Sequence, residues 1–451
     1  MESMSFLKIE RSELTEIISL YIPMFAEQLM VTGVGTVITS VTKASGMEAV
    51  AAVTLLNSLV QLFQQSFISL GVGASVVVAQ LRGRGDSRTT GRAASQAVTL
   101  ALMTSVTVSV LCYLFSESML AAVFRDSEPL VYEHGRLYLT YNILSLPLVA
   151  IFSMASASIR GSGHPRITLF ATLAHNGAYI TMALVSVRAL GFGLKGISAS
   201  LMISRFIAAA IGLALLRRGN DHMRWSPLSL KIDRGVAKPI FRVAIPLLME
   251  NLMFSGGRLI TQSFSVSYGT NSIAANGIAN NISGLMMTPG SAFSNVAPPL
   301  VGRYCGKGDL EGAKRKGYQL TALAALMATL SSVVTAVILK PLTGSMTDSP
   351  DVRNQVYTVV ISYCIMMPIF WPFSFVTPSI LRSSGDGKFT SAVCISAMLL
   401  ARITTGYILA IVFRVGIIGI WLSMYLDWFM RTAFFIPRFR SGKWLRQKVL
   451  D

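Results

Sequence analysis

Charge is the scarcest property of this 451-residue chain: Asp, Glu, Lys and Arg make up 13% of it, hydrophobic residues 52%, and mean hydropathy is +0.58. So little polar surface cannot cover a soluble body of this length, which leaves an integral membrane protein. Cysteine is also rare. Cys112, Cys305, Cys364 and Cys394 lie in or beside apolar stretches without paired spacing, so neither a disulfide framework nor a metal site is expected. A phosphate-binding loop, a nucleophile elbow, a zinc motif and an intramembrane protease pair are all missing, so the chain does not read as an enzyme or as driven by its own ATP hydrolysis. GFGLKG at 191–196 has the spacing of a dinucleotide loop but follows no strand, and reads as a tight external turn. The opening MESMSFLKIERSEL mixes both charges and lacks a short apolar core, so no cleavable signal peptide is expected.

Apolar runs are what the chain has in abundance. Charge-free stretches at 49–81, 93–116, 137–159, 167–187, 259–302, 317–339 and 354–381 each reach the roughly 20 residues that cross a bilayer as helix. The formal charge of +18 falls between them. Basic clusters occur at Arg82, Arg84, Arg88 and Arg92, at Arg160 and Arg166, over 217–242, from Arg303 to Lys316, and at Arg438, Arg440, Lys443, Arg446 and Lys448. Alternate loops, near Lys43, 117–128, Gly269 and 347–351, are sparse or mixed. This alternation predicts both termini and the mid-chain linker on the cytoplasmic side of a plasma (inner) membrane, and assigns the positive charge to topology rather than to nucleic acid.

The chain is also duplicated. IPMFAEQLM at 22–30 returns as IPLLMENLM at 245–253, a shift of 223 residues. The same shift carries AVAAV at 49–53 onto SIAAN, GRGD at 83–86 onto GKGD, and Gly193 and Gly196 onto Gly416 and Gly419. Arg160 with Ser162 and Gly163 reappears, one residue out of register, as Arg382 with Ser384 and Gly385. Six spans are expected in each half, near 14–41, 49–81, 93–116, 131–159, 167–188 and 196–216, then 239–266, 272–303, 317–339, 354–381, 390–413 and 416–437. The fold class is therefore all-α and polytopic, with about twelve transmembrane helices in two parallel repeats. The predicted division is 1–216, a linker at 217–236, and 237–451.

Polar residues inside the spans are the candidates for function. Glu27 and Glu250 each stand four residues after a proline, Pro23 and Pro246, where helix bends are expected. A carboxylate at that depth must face a partner, a wet cavity or carry a proton, so the pair reads either as structural or as ion-handling, with Asp427 a third candidate for ion coupling. Asn57, Gln61, Gln64 and Gln65 share one helix face, and Asn276, Asn280, Ser283 and Met287 share another. Such stripes are interhelical glue or the wall of a water-filled pathway. Arg205, Arg258, Arg402 and Arg431 interrupt apolar segments. Arg402 is the candidate for a cavity and the others for structural pairs, Asp427 being a local partner for Arg431. Met286, Met287, Met366, Met367, Phe370, Trp371, Phe373 and Phe375 supply soft apolar surface suited to varied ligands or to plain packing.

The twelve-span duplication, the IPxxxE openings, VGRYCGKGDLEGAKR at 301–315, the turns RGSGHP at 160–165 and RSSGDG at 382–387, and GIIGIW at 416–421 together resemble the multidrug and toxic compound extrusion (MATE) transporters over essentially the whole chain. The resemblance implies two six-helix lobes in a V around a cleft, working as a secondary active exporter of drug-like, often cationic organic compounds in antiport with H⁺ or Na⁺. No cofactor beyond that coupling cation is implied; the expected partners are small organic substrates and the lipid bilayer, and the chain is expected to act as a monomer. It also carries Asn176 into the substrate cavity. Where members of the family have V-D-T or V-N-T in the first span, this chain has Val37, Ile38 and Thr39; where they have N-x-x-N-x-x-x-D in the fifth, it has Asn176, Tyr179 and Ala183. The usual acidic site of the first half is thus missing. A lipid or polysaccharide flippase of the same superfamily, or a membrane binding protein that no longer transports, are the alternatives.

Overall fold

The structure is a computed structural model describing residues 10–124, 128–224, 226–229, 231–447 and 449–450. The first nine residues of the opening segment, 125–127 of the 117–128 loop, 225 and 230 of the linker, and Lys448 of the last basic cluster lie outside the described residues. Twelve long helices run through the rest. They are α1 (Arg11–Lys43), α2 (Met47–Gly83), α3 (Ser87–Leu114), α4 (Pro129–Leu144 continued by Leu146–Gly161), α5 (Pro165–Arg188) and α6 (Gly193–Arg218), then α7 (Arg234–Tyr268), α8 (Thr270–Lys307), α9 (Leu310–Met346), α10 (Pro350–Ser384), α11 (Gly387–Val412) and α12 (Ile417–Arg440).

Among the described residues nine helices are long and apolar enough to cross a bilayer, and the bent α4 makes a tenth. The other two, α8 and α12, fall short because they carry polar groups into the interior: Asn276 and Ser283 on α8, and Asp427 and Arg431 on α12, are all buried. The long α2 and α8, with 37 and 38 residues, exceed the roughly 20 a bilayer core requires.

The duplicated sequence motifs are helix junctions. In GRGD and GKGD the second glycine takes a left-handed conformation, φ +80° at Gly85 and +78° at Gly308, which a side chain disfavours. The aspartate then caps the next helix: Asp86 accepts from the Arg88 and Thr89 amides at 3.1 and 2.9 Å, and Asp309 from the Gly312 amide at 2.8 Å.

The chain divides into two compact units, Ile22–Ala244 and Met1–Tyr21 with Ile245–Asp451. The start of α1 belongs with the second because Glu13 meets Arg315, Lys316 and Gln319 of α9 at 2.8, 3.1 and 2.8 Å, and Glu16 pairs with Arg303 of α8. The chain crosses from one unit to the other immediately before the Ile-Pro pairs of Pro23 and Pro246. Both helices run on through these prolines; the sharp bend is in α4, 45° at Ser145. Pro147 supplies no N–H for the Ile143 carbonyl four residues back, and Ser109 Oγ of α3 donates to that carbonyl instead.

Within the unit Ile22–Ala244, α2 packs on both halves of α4, and α6 on α4 and α5. A Cβ on Gly161 would come within 2.7 Å of the Ser75 carbonyl, so α2 and α4 approach this closely only with glycine there. In the other unit α8 packs on α9 and α10, and α12 on α10 and α11. Here α10 and α11 contain wide π-helical turns at Pro372–Val376, Ala397–Thr404 and Ile408–Val412.

Candidate functional site

Each unit joins its deep glutamate to the arginine of its duplicated turn. Glu27, in mid-α1, accepts from Arg160 in the last turn of α4 at 3.0 Å, with the Thr172 and Thr168 hydroxyls at 3.3 and 3.5 Å. Glu250 of α7 accepts from Arg382 Nη2 at 2.7 Å on both carboxylate oxygens and from Ser391 Oγ at 3.0 Å, and Arg382 Nε donates to Thr390 Oγ1 at 3.1 Å. Two repeats that stand 130 residues or more from their partners in sequence are thus one charged contact, made twice. An isolated carboxylate would be costly at this depth, and the guanidinium removes that cost.

The unit Ile22–Ala244 is hollow. A cavity of about 330 Å³ is bordered by Asn57, Gln61 and Gln64 from α2, Ile38 and Thr39 from α1, and Tyr138, Tyr179 and Arg205. A second, of about 420 Å³, is bordered by Glu27, Arg160, Asn176 and His175 on its polar side and by Phe67, Leu148 and Phe152 on its apolar side. Gln64, Tyr179, Leu201 and Arg205 line both, so the two meet at Arg205.

The other unit has a counterpart of the first cavity, of about 30 Å³, room for a water. Seven of its nine lining residues stand 223 positions after residues lining the larger one. The pairs are Gly35 with Arg258, Ile38 with Thr261, Thr39 with Gln262, Val53 with Asn276, Asn57 with Asn280, Tyr179 with Arg402, and Leu201 with Met424. The duplication therefore preserves the wall of a cavity, and the space it encloses is far smaller in the second copy. Val31, Ser204 and Ala208, which line the 420 Å³ space, correspond by the same shift to the larger Phe254, Asp427 and Arg431. Arg431 Nε donates to Asp427 Oδ1 at 2.7 Å and its guanidinium lies over the Phe254 and Phe375 rings at 5.7 and 5.5 Å.

These positions bear on the residues singled out above. Asn57, Gln61 and Gln64 line the larger cavities, as does Asn176; Asn276, Asn280 and Arg402 line the small one. Asn276 Oδ1 is already held, accepting from Trp421 Nε1 at 3.1 Å and Asn280 Nδ2 at 3.2 Å. Gln65, Ser283 and Met287 line none of the three: the Gln65 carbonyl accepts from Ser69, Ser283 donates to the Asn280 carbonyl, and Met287 Sδ accepts from Trp371 Nε1 at 3.1 Å. Glu27 borders a cavity, whereas Glu250 and Asp427 border none of the three. Asp427 is fully buried between Arg431 and Arg402, the latter at 3.8 Å on the π-helical turn of α11. Arg205 departs from the reading that gave it a structural ion pair. Its Nη1 donates to Asn142 Oδ1 at 3.1 Å and to Ser145 Oγ, both neutral, beside the α4 bend. Its single charge in an otherwise apolar span was the signal, and only the fold shows that among the described residues no acid pairs with it.

Two six-helix repeats, helices broken at polar points and cavities lined by amides and guanidinium groups define an integral membrane protein with the architecture of a transporter. The MatE family model matches residues 23–185 and again residues 246–408, the second match beginning 223 residues after the first, and the chain belongs to that family. It is 25% identical to the probable multidrug resistance protein NorM of Thermotoga maritima, across 96% of this chain and 94% of that one. The crystal structure of a MATE protein in a bent conformation superposes with a TM-score of 0.87 at 17% identity, covering 98% of each chain. A superfamily transporter from Pyrococcus furiosus, described as having a binding pocket of reverse polarity that suggests a different function, superposes with a TM-score of 0.87 at 18% identity over 98% and 99% of the two chains.

Proposed function

We propose that the protein is a secondary active efflux transporter that carries amphiphilic organic compounds out across the plasma membrane by alternating access, in antiport with H⁺ or Na⁺. The observation that carries this reading is the hollow unit Ile22–Ala244, where about 420 Å³ of space bounded by apolar side chains also reaches an ionisable group, Glu27. The printed names of relatives such as the NorM protein support multidrug export as the activity.

Coupling requires a group whose ion occupancy differs between inward-open and outward-open states. Of the three candidate acids, Glu27 suits this role: it meets Arg160 through one oxygen and borders a cavity, while Glu250 is gripped on both oxygens and Asp427 is walled in. The crossings beside Pro23 and Pro246 are the natural hinges, because a proline removes one backbone hydrogen bond from its helix. The positive-inside pattern places both termini in the cytoplasm. The decisive experiment is dye flux in proteoliposomes with the Na⁺ and pH gradients imposed independently. Flux that follows one gradient is expected; ligand binding without flux under either gradient would leave a binding protein instead.

A further inference from the structure

We infer that the open cavity of Ile22–Ala244 is an anion-selective site, taking an amphiphilic organic anion whose acidic head is held by Arg205. This deepens the transport reading and rests on it for direction of movement, but not for binding.

The argument begins with the charges facing the space. Among the residues lining the two joined cavities the only carboxylate is Glu27, and Arg160 already neutralises it at 3.0 Å. Arg205 remains. Its two hydrogen-bond partners, Asn142 and Ser145, are neutral acceptors on Nη1, so among the described residues its Nε and Nη2 donors have no partner and no acid balances the charge of a guanidinium that lines both cavities. An organic cation entering here would meet a like charge, and the one acid on the wall, Glu27, is already paired with Arg160; a carboxylate, sulfonate or phosphate would form the charge-assisted contact that Arg205 lacks.

The second copy carries the same sign by a different route. There the cavity wall has Arg258 and Arg402 where the first copy has Gly35 and Tyr179; no carboxylate lines it, and Asp427, 3.8 Å from Arg402, is already shared with Arg431. The position equivalent to Arg205 is Trp428, so the two copies did not inherit one arginine but each hold positive charge at separate places on the same wall. The rest of the two joined cavities fits an amphiphile: Thr39, Asn57, Gln61 and Gln64 offer hydrogen bonds, while Phe67 and Phe152 offer apolar surface.

The shared chemistry, an acidic head on an apolar body, belongs both to soluble aromatic acids and to acidic phospholipids. The test is equilibrium binding to the full-length protein in nanodiscs of neutral lipid, using one dansyl fluorophore bearing a carboxylate and the same fluorophore bearing a quaternary ammonium. Wild-type protein should bind the carboxylate at least about tenfold more tightly, Arg205→Gln should lose about tenfold of that preference, and Arg205→Lys should keep most of it. Displacement of the carboxylate probe by 1-naphthoate assigns a soluble acid, and displacement by a short-chain phosphatidylglycerol assigns a lipid; either supports the site. Equal or tighter binding of the ammonium probe by wild-type protein overturns the inference, as does unchanged carboxylate binding in monodisperse Arg205→Gln, or displacement by neither competitor. Should Arg205→Gln not fold, the wild-type comparison and Arg205→Lys still decide. Anion binding without gradient-driven flux would sink the transport reading alone; gradient-driven flux of the ammonium probe, unaffected at Arg205, would sink this one alone.

Discussion

Arg382 reaches both carboxylate oxygens of Glu250 at 2.7 Å, from a side chain only 9% exposed. A contact this complete is built to persist. Removing one partner leaves the other as an uncompensated, largely buried charge, a loss of about 3 to 5 kcal/mol for buried pairs. Glu250→Gln and Arg382→Gln should each lower the unfolding temperature of the purified protein markedly, and the double variant Glu250→Gln with Arg382→Met should recover much of the loss. A Glu250→Gln protein that melts like wild type but fails to couple would return Glu250 to the role of ion carrier.

Glu27 should behave differently. Glu27→Gln keeps its hydrogen bonds with the neighbouring threonines and leaves Arg160, 26% exposed beside a cavity, able to be solvated. Gradient-driven dye flux in proteoliposomes should fall at least about tenfold, a change of roughly 1.4 kcal/mol in the coupled step, while downhill exchange of the same dye survives. Equal loss of both fluxes would mean that the residue only supports the fold.

Narrowing the open cavity with the side chain that stands at the equivalent position of the other copy is a third test. Val31 is 53% exposed and borders both cavities, and the equivalent residue is Phe254. Val31→Phe should reduce ligand affinity by about tenfold, roughly 1.4 kcal/mol, without lowering the unfolding temperature. Unaltered affinity in titrations would place the ligand elsewhere.

The junction caps predict a pH effect outside the membrane. Hydrogen bonds from Thr89 hold the Asp86 carboxyl below its ordinary value of 3.8. A carboxyl whose folded value is depressed contributes stability that is complete above the unfolded value and is lost as pH falls through the folded one. Between neutral pH and about 5, Asp86→Ala should therefore cost a constant amount, about 1 kcal/mol for a helix cap. Below pH 3.8 the difference from wild type should shrink in thermal unfolding measurements, and a difference that grows on acidification would contradict the capping role.

Much of the fold was legible without coordinates. Charge-free runs of about bilayer length and a shift of 223 residues fix helices, their number and their duplication, because lipid forces every backbone group into helical hydrogen bonds and repeats keep their punctuation. Asn57 and Asn280 could be identified from helical spacing as polar faces needing partners or water. The bend of α4 was harder to see than those expected at Pro23 and Pro246, since it depends on a serine of α3 being in place to satisfy the Ile143 carbonyl.

What the sequence by itself determined was the membrane, the twelve helices and the paired motifs, all consequences of local composition and of repetition along the chain. The tertiary structure alone decided which acid meets which arginine, and that among the described residues Arg205 meets none. It alone decided, too, that one copy of the cavity is roomy and the other small. The physical reason is that ion pairing and free volume depend on distances between side chains on different helices, which can be more than a hundred residues apart in the chain and a few ångströms apart in space.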